Sequence, residues 1–357
     1  MKIVVLAGGL STERGVSLVT GTSVCRALRQ RGHQAILVDL FLGLPALPTP
    51  AEALFNAPDG LCPEAKIEVT APDLAAVRAS RPDQGPSLIG PHVLEICRLA
   101  DIVFLGLHGM DGEDGRIQAT LDLLGIPYTG SGHLASAVAM DKVAAKRMMD
   151  SLGIPTPEWQ VLTYAPEEAE RLAAELPMPC VVKTVDGGSS LGVFLPKDRA
   201  ELRQALVDVL HFGSRVLVEK RVYGRELVQA VLGDRYLPAA MTIPAGANFD
   251  YVAKYQAGGA RELCPAPITQ QEQALIGELG LKLHNGLGLE VYSRADVILD
   301  DQGRPWFLET NSLPGMTPAS FLPKEAAAVG MSYEELCEEI VRLSLQTVRR
   351  GGPGSRA

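Results

Sequence analysis

Two apolar runs, Ala295–Leu299 and Pro305–Leu308, are separated by Asp300-Asp301-Gln302-Gly303 and little else. A short polar turn between two strand-like runs dictates an antiparallel hairpin, because parallel strands need a much longer crossover. The runs are apolar enough to be buried. Yet Asp296 lies inside the first, Glu309 closes the second, and Asn311 follows two residues later. Positions near the non-turn ends of a hairpin face each other, and residues two apart share a face. Asp296, Glu309 and Asn311 therefore converge. Two carboxylates and an amide are hard oxygen donors of the kind Mg2+ takes together with substrate phosphates. A solvent-facing alternation explains the pattern less well, since Val297, Leu299, Phe307 and Leu308 leave no clean polar face. A metal site at Asp296, Glu309 and Asn311 is the expectation.

The chain has 357 residues and 38.0 kDa, which suggests two or three domains. A net charge of -9 argues against a nucleic-acid binder that works by bulk charge. The six Cys form no C-x-x-C pair, so neither a zinc ribbon nor a disulfide framework is indicated, and free thiols in a reducing cytosol are expected. The apolar start Ile3-Val4-Val5-Leu6-Ala7 runs straight into Gly8-Gly9 and is too short for a signal peptide. No apolar run is long enough for a membrane span. A cytoplasmic protein is expected.

The first part alternates strand and helix. Strands are expected at Ile3–Ala7, Ala35–Leu40 and Asp101–Leu107, with helices at Val16–Gln30 and Arg116–Leu124. That βαβ pattern implies a parallel sheet. Between Phe41 and Pro91 stand nine of the 25 Pro, so this stretch reads as an irregular insertion. One long helix is expected from His133 to Leu152, ended by Gly153 and Pro155. Strands at Cys180–Val185, Leu191–Leu195 and Arg215–Glu219 follow, with a helix near Asp198–Leu210. Beyond Glu226 come further strands, an irregular stretch Ala245–Pro267, a helix Gln270–Leu287, the acidic hairpin, and a last helix Tyr333–Arg349. The fold class is α/β joined to α+β. Three domains are expected: 1–130, with the insertion at about 41–91, then 131–222 and 223–357.

Lysine placement carries further information. The chain has ten Lys against 23 Arg. Lys142 opens a helical segment in "MDKVAAKRMM". Lys183 ends a strand in "CVVKTVDGGSSLGV". Lys254 sits in "FDYVAKYQAGG". An ammonium is a compact charge suited to a phosphate oxygen. The loop after Lys183, with Ser189 and Ser190, can fold backbone N–H groups over a phosphate. It is not a P-loop, and a glycine hairpin with a surface lysine is the plainer alternative. In "RVLVEKRVYGRE", backbone at Glu219, Lys220, Arg221 and Val222 could meet an adenine edge, and Glu226 a ribose. Two turns, "GGLSTERGVSL" with Glu13 and "LHGMDGEDGRIQ" with His108, each follow a strand and lead into a helix. Such turns end parallel strands where α/β proteins bind ligands, so a shared pocket is expected.

Together with "YTGSG", "YVAKY", "SRADVILD" and "FLETNSLPGMTPASF", these stretches resemble the D-alanine–D-alanine ligases of the ATP-grasp group. The resemblance runs in order over most of the chain, leaving out the Pro-rich insertion and the tail. It implies a three-domain ATP-grasp architecture with an N-terminal parallel-sheet domain, and ATP between the central and C-terminal domains. It implies that Lys142 and Lys183 contact nucleotide phosphates, with Ser190 nearby, and that Lys254 reaches the γ-phosphate from a lid. It places adenine at Glu219, Lys220, Arg221 and Val222, and ribose at Glu226. Two Mg2+ ions, or Mn2+, would sit on Asp296, Glu309 and Asn311. Glu13 would bind the amine of the first D-alanine, with His108 on the same side. Glu13, Ser189 and Tyr255 would close the loop over the site. Arg294 and the Gly315 N–H would stabilise the oxyanion, and Ser320 and Phe321 would bind the carboxylate of the second D-alanine. A homodimer is also implied.

Three departures from the family pattern stand out: Thr184 where Pro is usual, Gly187 where an acidic residue is usual, and the long insertion. D-Alanyl-D-lactate ligases carry His in the lid where this chain has Lys254-Tyr255, so an amino-acid acceptor is expected. D-alanine–D-serine ligation and another ATP-grasp carboxylate–amine ligase are the alternatives. A non-catalytic nucleotide binder fits Glu13, His108, Tyr255 and Ser320 poorly. An NAD-linked enzyme would need a G-x-G-x-x-G with its acidic partner, which the chain lacks.

Overall fold

The computed structural model describes residues 1–63, 65, 72–187, 192–244 and 260–347. Strand β1 (Lys2–Ala7) is a continuous apolar run, the pattern of a strand buried on both faces. It pairs in parallel with β2 (Gln34–Asp39) on one side and β3 (Ile102–Leu105) on the other. Helix α1 (Arg14–Gln30) makes the first crossover. The sheet order is β2-β1-β3, and its pairing is parallel, as the βαβ pattern implied. Among the described residues the Pro-rich insertion holds a 3-10 turn (Ala51–Asn56) and α2 (Leu74–Ser80), before α3 (Val93–Arg98). Helix α4 (Arg116–Leu124) has the bounds expected from the sequence.

One expectation fails next. His133–Leu152 is not a single helix but two, α5 (His133–Met140) and α6 (Lys142–Leu152). Asp141 breaks it. Its Oδ1 accepts the N–H groups of Val143 and Ala144, both at 2.9 Å. An N-capping Asp competes with continuation of the helix. The break places Lys142 at the first position of a new helix.

The middle of the chain forms β4 (Trp159–Leu162), α7 (Ala169–Glu175), β5 (Cys180–Thr184), β6 (Val193–Phe194), α8 (Arg199–Asp208) and β7 (Val216–Lys220). The four strands form an antiparallel sheet in the order β4-β7-β5-β6. A second antiparallel sheet contains β8 (Arg225–Leu232), β9 (Arg235–Tyr236), β10 (Ala240–Pro244), β11 (Ala260–Leu263), β12 (Tyr292–Leu299) and β13 (Pro305–Asn311). Its order is β11-β10-β8-β12-β13, with β9 on β8. Helix α9 (Gln270–Gly286) covers one face, where Ile276 and Leu283 pack with Leu227, Ala295, Val297 and Phe307.

Two helices close the described chain, α10 (Phe321–Ala328) and α11 (Tyr333–Gln346). The sequence reading contains no helix at α10. Both helices join the core of the first sheet, where Leu322, Ala326, Leu336 and Ile340 pack in one cluster with Ile3, Val5 and Phe104. At the surface, Glu338 of α11 takes the Arg31 guanidinium and His33.

The acidic hairpin departs from plain alternation at one point. Asp296 pairs with Glu309, but Val297 pairs with Phe307, so Leu308 is an extra residue. Such a bulge lets two successive side chains lie on one face. Phe307 points into the core, while Leu308 and Glu309 both line the cleft. The turn is held by Asp300, whose carboxylate accepts from Gln302 N, Arg304 N, Arg304 Nε and Trp306 Nε1 at 2.9–3.0 Å. The bonds from Trp306 and Arg304 hold this carboxyl down at about 2.

Candidate active site

The two antiparallel sheets face each other across a cleft of about 330 Å3. Lys142, Lys183 and Glu219 line the central side, and Glu226, Asp296 and Glu309 the other. Each arrives there for a local reason. Lys142 begins α6 because Asp141 caps it. Lys183 is the last residue but one of β5, and Glu219 lies near the end of β7, directly opposite Val181. Asp296 alternates with Arg294 and Ile298 on the cleft face of β12, while Ala295, Val297 and Leu299 face the core.

A buried charge relay occupies the central wall. Glu219 is 2% exposed and sits between Lys183 Nζ and Lys146 Nζ, each at 2.5 Å from one of its oxygens. Lys146 Nζ also donates to Thr156 Oγ1 at 2.6 Å, and Thr156 Oγ1 donates to the Phe307 carbonyl at 2.8 Å. The central wall is thereby tied to β13. Burial opposes ionisation of Glu219, but the Lys183 and Lys146 charges outweigh it and hold the carboxyl below its usual value. Burial likewise opposes the charge on Lys183, and Glu219 and Glu309 overcome it, so this ammonium is held above its usual value. On Lys146 burial wins, with the Lys183 charge adding to it, and the value falls. Sequence reasoning passed over Lys146. The available signal was its spacing: it follows Lys142 by four residues, on the same helix face, in a chain short of lysine.

On the opposite wall, Arg294 forks onto Asp296, with Nε to Oδ1 at 2.8 Å and Nη2 to Oδ2 at 3.2 Å. Burial opposes the Arg294 charge, but Asp296 and Glu309 raise the guanidinium further above its ordinary value. Asn311 pairs in register with Arg294, and Lys142 Nζ lies 3.5 Å from Glu309. The donor set fits a metal that takes few carboxylates. Asp296 and Glu309 are cross-strand partners, and the Asn311 Nδ2 is buried with no hydrogen-bond partner among the described residues. Turned over about its last bond, the Asn311 amide presents its oxygen at that position instead. Among the described residues no group of three His, Cys, Asp or Glu converges, which leaves the site two carboxylates and an amide.

At the cleft rim, the N–H groups of Lys220 and Arg221 are engaged by the Glu158 and Pro179 carbonyls at 2.8 and 3.0 Å. The backbone N–H groups at these two positions are therefore already engaged within the fold. Lys220 and Arg221 point outward, Lys220 toward Glu158 and Arg221 over the Tyr223 ring.

The two N-terminal turns meet. Ser11 Oγ donates to the His108 carbonyl at 2.7 Å and accepts from Glu13 N at 3.2 Å. Glu13 is the N-cap residue of α1, but its side chain caps no helix N–H. A Cβ on Gly109 would lie 3.1 Å from its Oε2, so the glycine admits this carboxylate. His108 is buried, with Nε2 3.0 Å from Thr20 Oγ1 and Nδ1 3.8 Å from Glu113. Burial favours its neutral form, yet Glu113 and Glu13 prevail and raise its value. At the far end, Gly315 abuts Ser320, since a Cβ there would be 2.9 Å from Ser320 Oγ. Ser320 is the N-cap residue of α10, but its hydroxyl accepts from Thr317 N at 3.1 Å rather than from the helix, and Phe321 is the first residue of that helix. Ser189, Ser190, Lys254 and Tyr255 lie outside the described residues.

Two sheets gripping a lysine- and carboxylate-lined cleft, behind an N-terminal parallel sheet, define an ATP-grasp protein. Residues 2–131 match the family model described as "D-ala D-ala ligase N-terminus", and residues 148–342 match "D-ala D-ala ligase C-terminus". The chain is 40% identical to the D-alanine–D-alanine ligase of Pediococcus pentosaceus, over 96% of this chain and 97% of that protein. It is 38% identical to that of Synechococcus sp. strain JA-3-3Ab, over 100% and 98%. Among solved structures, the Bacillus anthracis D-alanine–D-alanine ligase complexed with ATP matches at a TM-score of 0.72 and 29% identity, over 97% of this chain and 98% of that one. The Coxiella burnetii D-alanine–D-alanine ligase matches at 0.73 and 25%, over 97% and 94%. The chain belongs to the D-alanine–D-alanine ligase family.

Proposed function

We propose that this protein joins two D-alanines into D-alanyl-D-alanine for peptidoglycan precursor synthesis, at the expense of ATP. The observation that carries the reading is the cleft itself, where Lys142, Lys183, Asp296 and Glu309 converge on one space. A carboxylate is a poor electrophile. In the proposed reaction an oxygen of the first D-alanine's carboxylate attacks the γ-phosphorus, the bond to ADP breaks, and an acyl phosphate results. Lys142 and Lys183 balance the phosphate charge. Two Mg2+ ions, held by Asp296, Glu309 and Asn311, would neutralise further charge on the phosphate oxygens. Glu226 and Val222 both line the cleft, and they are proposed to meet the ribose and the purine. Glu13, beside His108, orients the ammonium of the first D-alanine.

The amine of the second D-alanine then attacks the acyl carbon, and inorganic phosphate leaves. Arg294 and the Gly315 N–H stabilise the oxyanion of the tetrahedral intermediate. Ser320 and Phe321, at the start of α10, receive the acceptor carboxylate, which a helix N-terminus favours. Lys254 and Tyr255, with Ser189, are proposed to seal the cleft, since acyl phosphates hydrolyse in water. The division into 1–130, 131–222 and 223–357, a cytoplasmic location and a homodimer belong to the same proposal. Among the described residues no helix is long and apolar enough to cross a membrane.

ADP release measured with D-alanine, D-serine and D-lactate as acceptors tests the reading. Dipeptide formed from D-alanine, at a rate well above that with D-serine, supports it. ADP release with D-lactate but no dipeptide would contradict it.

A further inference from the structure

Helix α10 carries the two acceptor-side residues, Ser320 and Phe321, at its start. One turn further on stands Glu325, completely buried. Its Oε2 accepts the Ala230 N–H at 2.8 Å. Ala230 lies on β8 directly opposite Arg294 of β12. The place is the end of the β8–β9 ladder, where the Ala230 carbonyl still accepts the Leu237 N–H at 2.9 Å while the Ala230 N–H goes to the helix. Strand β8 pairs with β10 through Glu226–Val228 and with β9 through Val231 and Leu232, so the Ala230 N–H falls between two partners. A helix side chain fills the missing rung. A buried N–H without an acceptor is costly, so the rung sets where α10 can sit. The neighbouring Lys324 ion-pairs with Glu262 of β11 and holds the same turn from the outside.

We propose that Glu325 is a positioning residue: its bond to the Ala230 N–H fixes the acceptor-binding start of α10 at a set distance from Arg294. This rests on the ligase reading above and adds a residue to it. Glu325 contacts no reacting atom and acts through the helix. The environment fits a neutral carboxylic acid. Burial raises its value well above the ordinary one, and Oε1 is buried with no hydrogen-bond partner among the described residues. An apolar side chain would fill the volume but leave the rung empty. Asp would keep the carboxyl but fall short by one methylene. Gln would keep both the length and the acceptor.

Steady-state kinetics of the full chain, varying D-alanine and ATP separately and resolving the two D-alanine sites, provide the test, with melting temperature recorded for each variant. Glu325→Leu and Glu325→Asp are expected to raise KM for the second D-alanine about tenfold, as the loss of one buried hydrogen bond would, and to leave the ATP KM within about twofold. Glu325→Gln is expected to restore the wild-type KM. If Glu325→Leu does not fold, Glu325→Asp decides. A second-site KM that stays at the wild-type value in Glu325→Asp, with only the melting temperature reduced, overturns the proposal. So does an equal rise in the ATP KM. Failure of the wild type to release ADP with D-alanine overturns the ligase reading together with this one, whereas wild-type turnover with unchanged variants overturns this one alone.

Discussion

Glu219 shows how a single buried carboxylate can organise one wall of the cleft. It would be costly to bury alone, but Lys146 and Lys183 each reach one of its oxygens. Breaking a buried pair by removing one partner is far worse than its net stabilisation suggests. Lys146→Met is therefore expected to cost about 3 kcal/mol, read by urea unfolding. It should also raise the ATP KM with little effect on either D-alanine KM, because Lys183 would then balance Glu219 alone and offer less charge to phosphate. At this scale the sequence was legible where residue type and scarcity coincide. Lys142 and Lys183 stood out among ten Lys, and Asp296 and Glu309 broke apolar runs. Lys146 and Glu325 did not stand out. Each looks like an ordinary helical charge until burial shows that it has a partner across the fold.

The elements place these residues by two local devices, and the sequence showed neither. Asp141 ends α5 and starts α6, and Leu308 adds a residue to β13. Periodicity reads straight through both, because a capping Asp inside an apolar pattern and one extra residue in a strand leave the composition unchanged. Asp141→Ala is expected to cost about 1 kcal/mol and to lower Tm by roughly 2–4 °C. The same substitution should weaken ATP binding, since Lys142 loses its fixed position at the helix start. Where α9 backs the acidic hairpin, His284 is buried with Nδ1 2.7 Å from Ser293 Oγ. Burial lowers its value to about 4. Unfolded, the imidazole gains a proton below about pH 6.5. Its contribution is thus full above that pH and is lost as pH falls toward 4, the loss reaching about 2 kcal/mol at pH 5. Urea midpoints measured between pH 7.5 and pH 5 should fall less steeply for His284→Gln than for the wild type.

At the scale of the whole molecule, the described residues form three sheets, and the last two described helices return to the first of them. The alternation of strand and helix made the parallel sheet legible, and the acidic hairpin made the second antiparallel sheet legible. The docking of α10 and α11 onto the N-terminal core was not legible, because an amphipathic helix does not state which face of the molecule it will cover. That return sets α10 against β8 through Glu325 and the Ala230 N–H, and in the proposed reaction this carries the acceptor end toward the phosphoryl-transfer end. The central claim is that a D-alanine carboxylate takes the γ-phosphoryl group before the amine attacks. The direct measurement supplies D-alanine labelled with oxygen-18 in its carboxylate, with ATP and Mg2+, and analyses the released inorganic phosphate by mass. An acyl phosphate route transfers one labelled carboxylate oxygen to phosphate for each dipeptide formed. Dipeptide accompanied by unlabelled phosphate would contradict it.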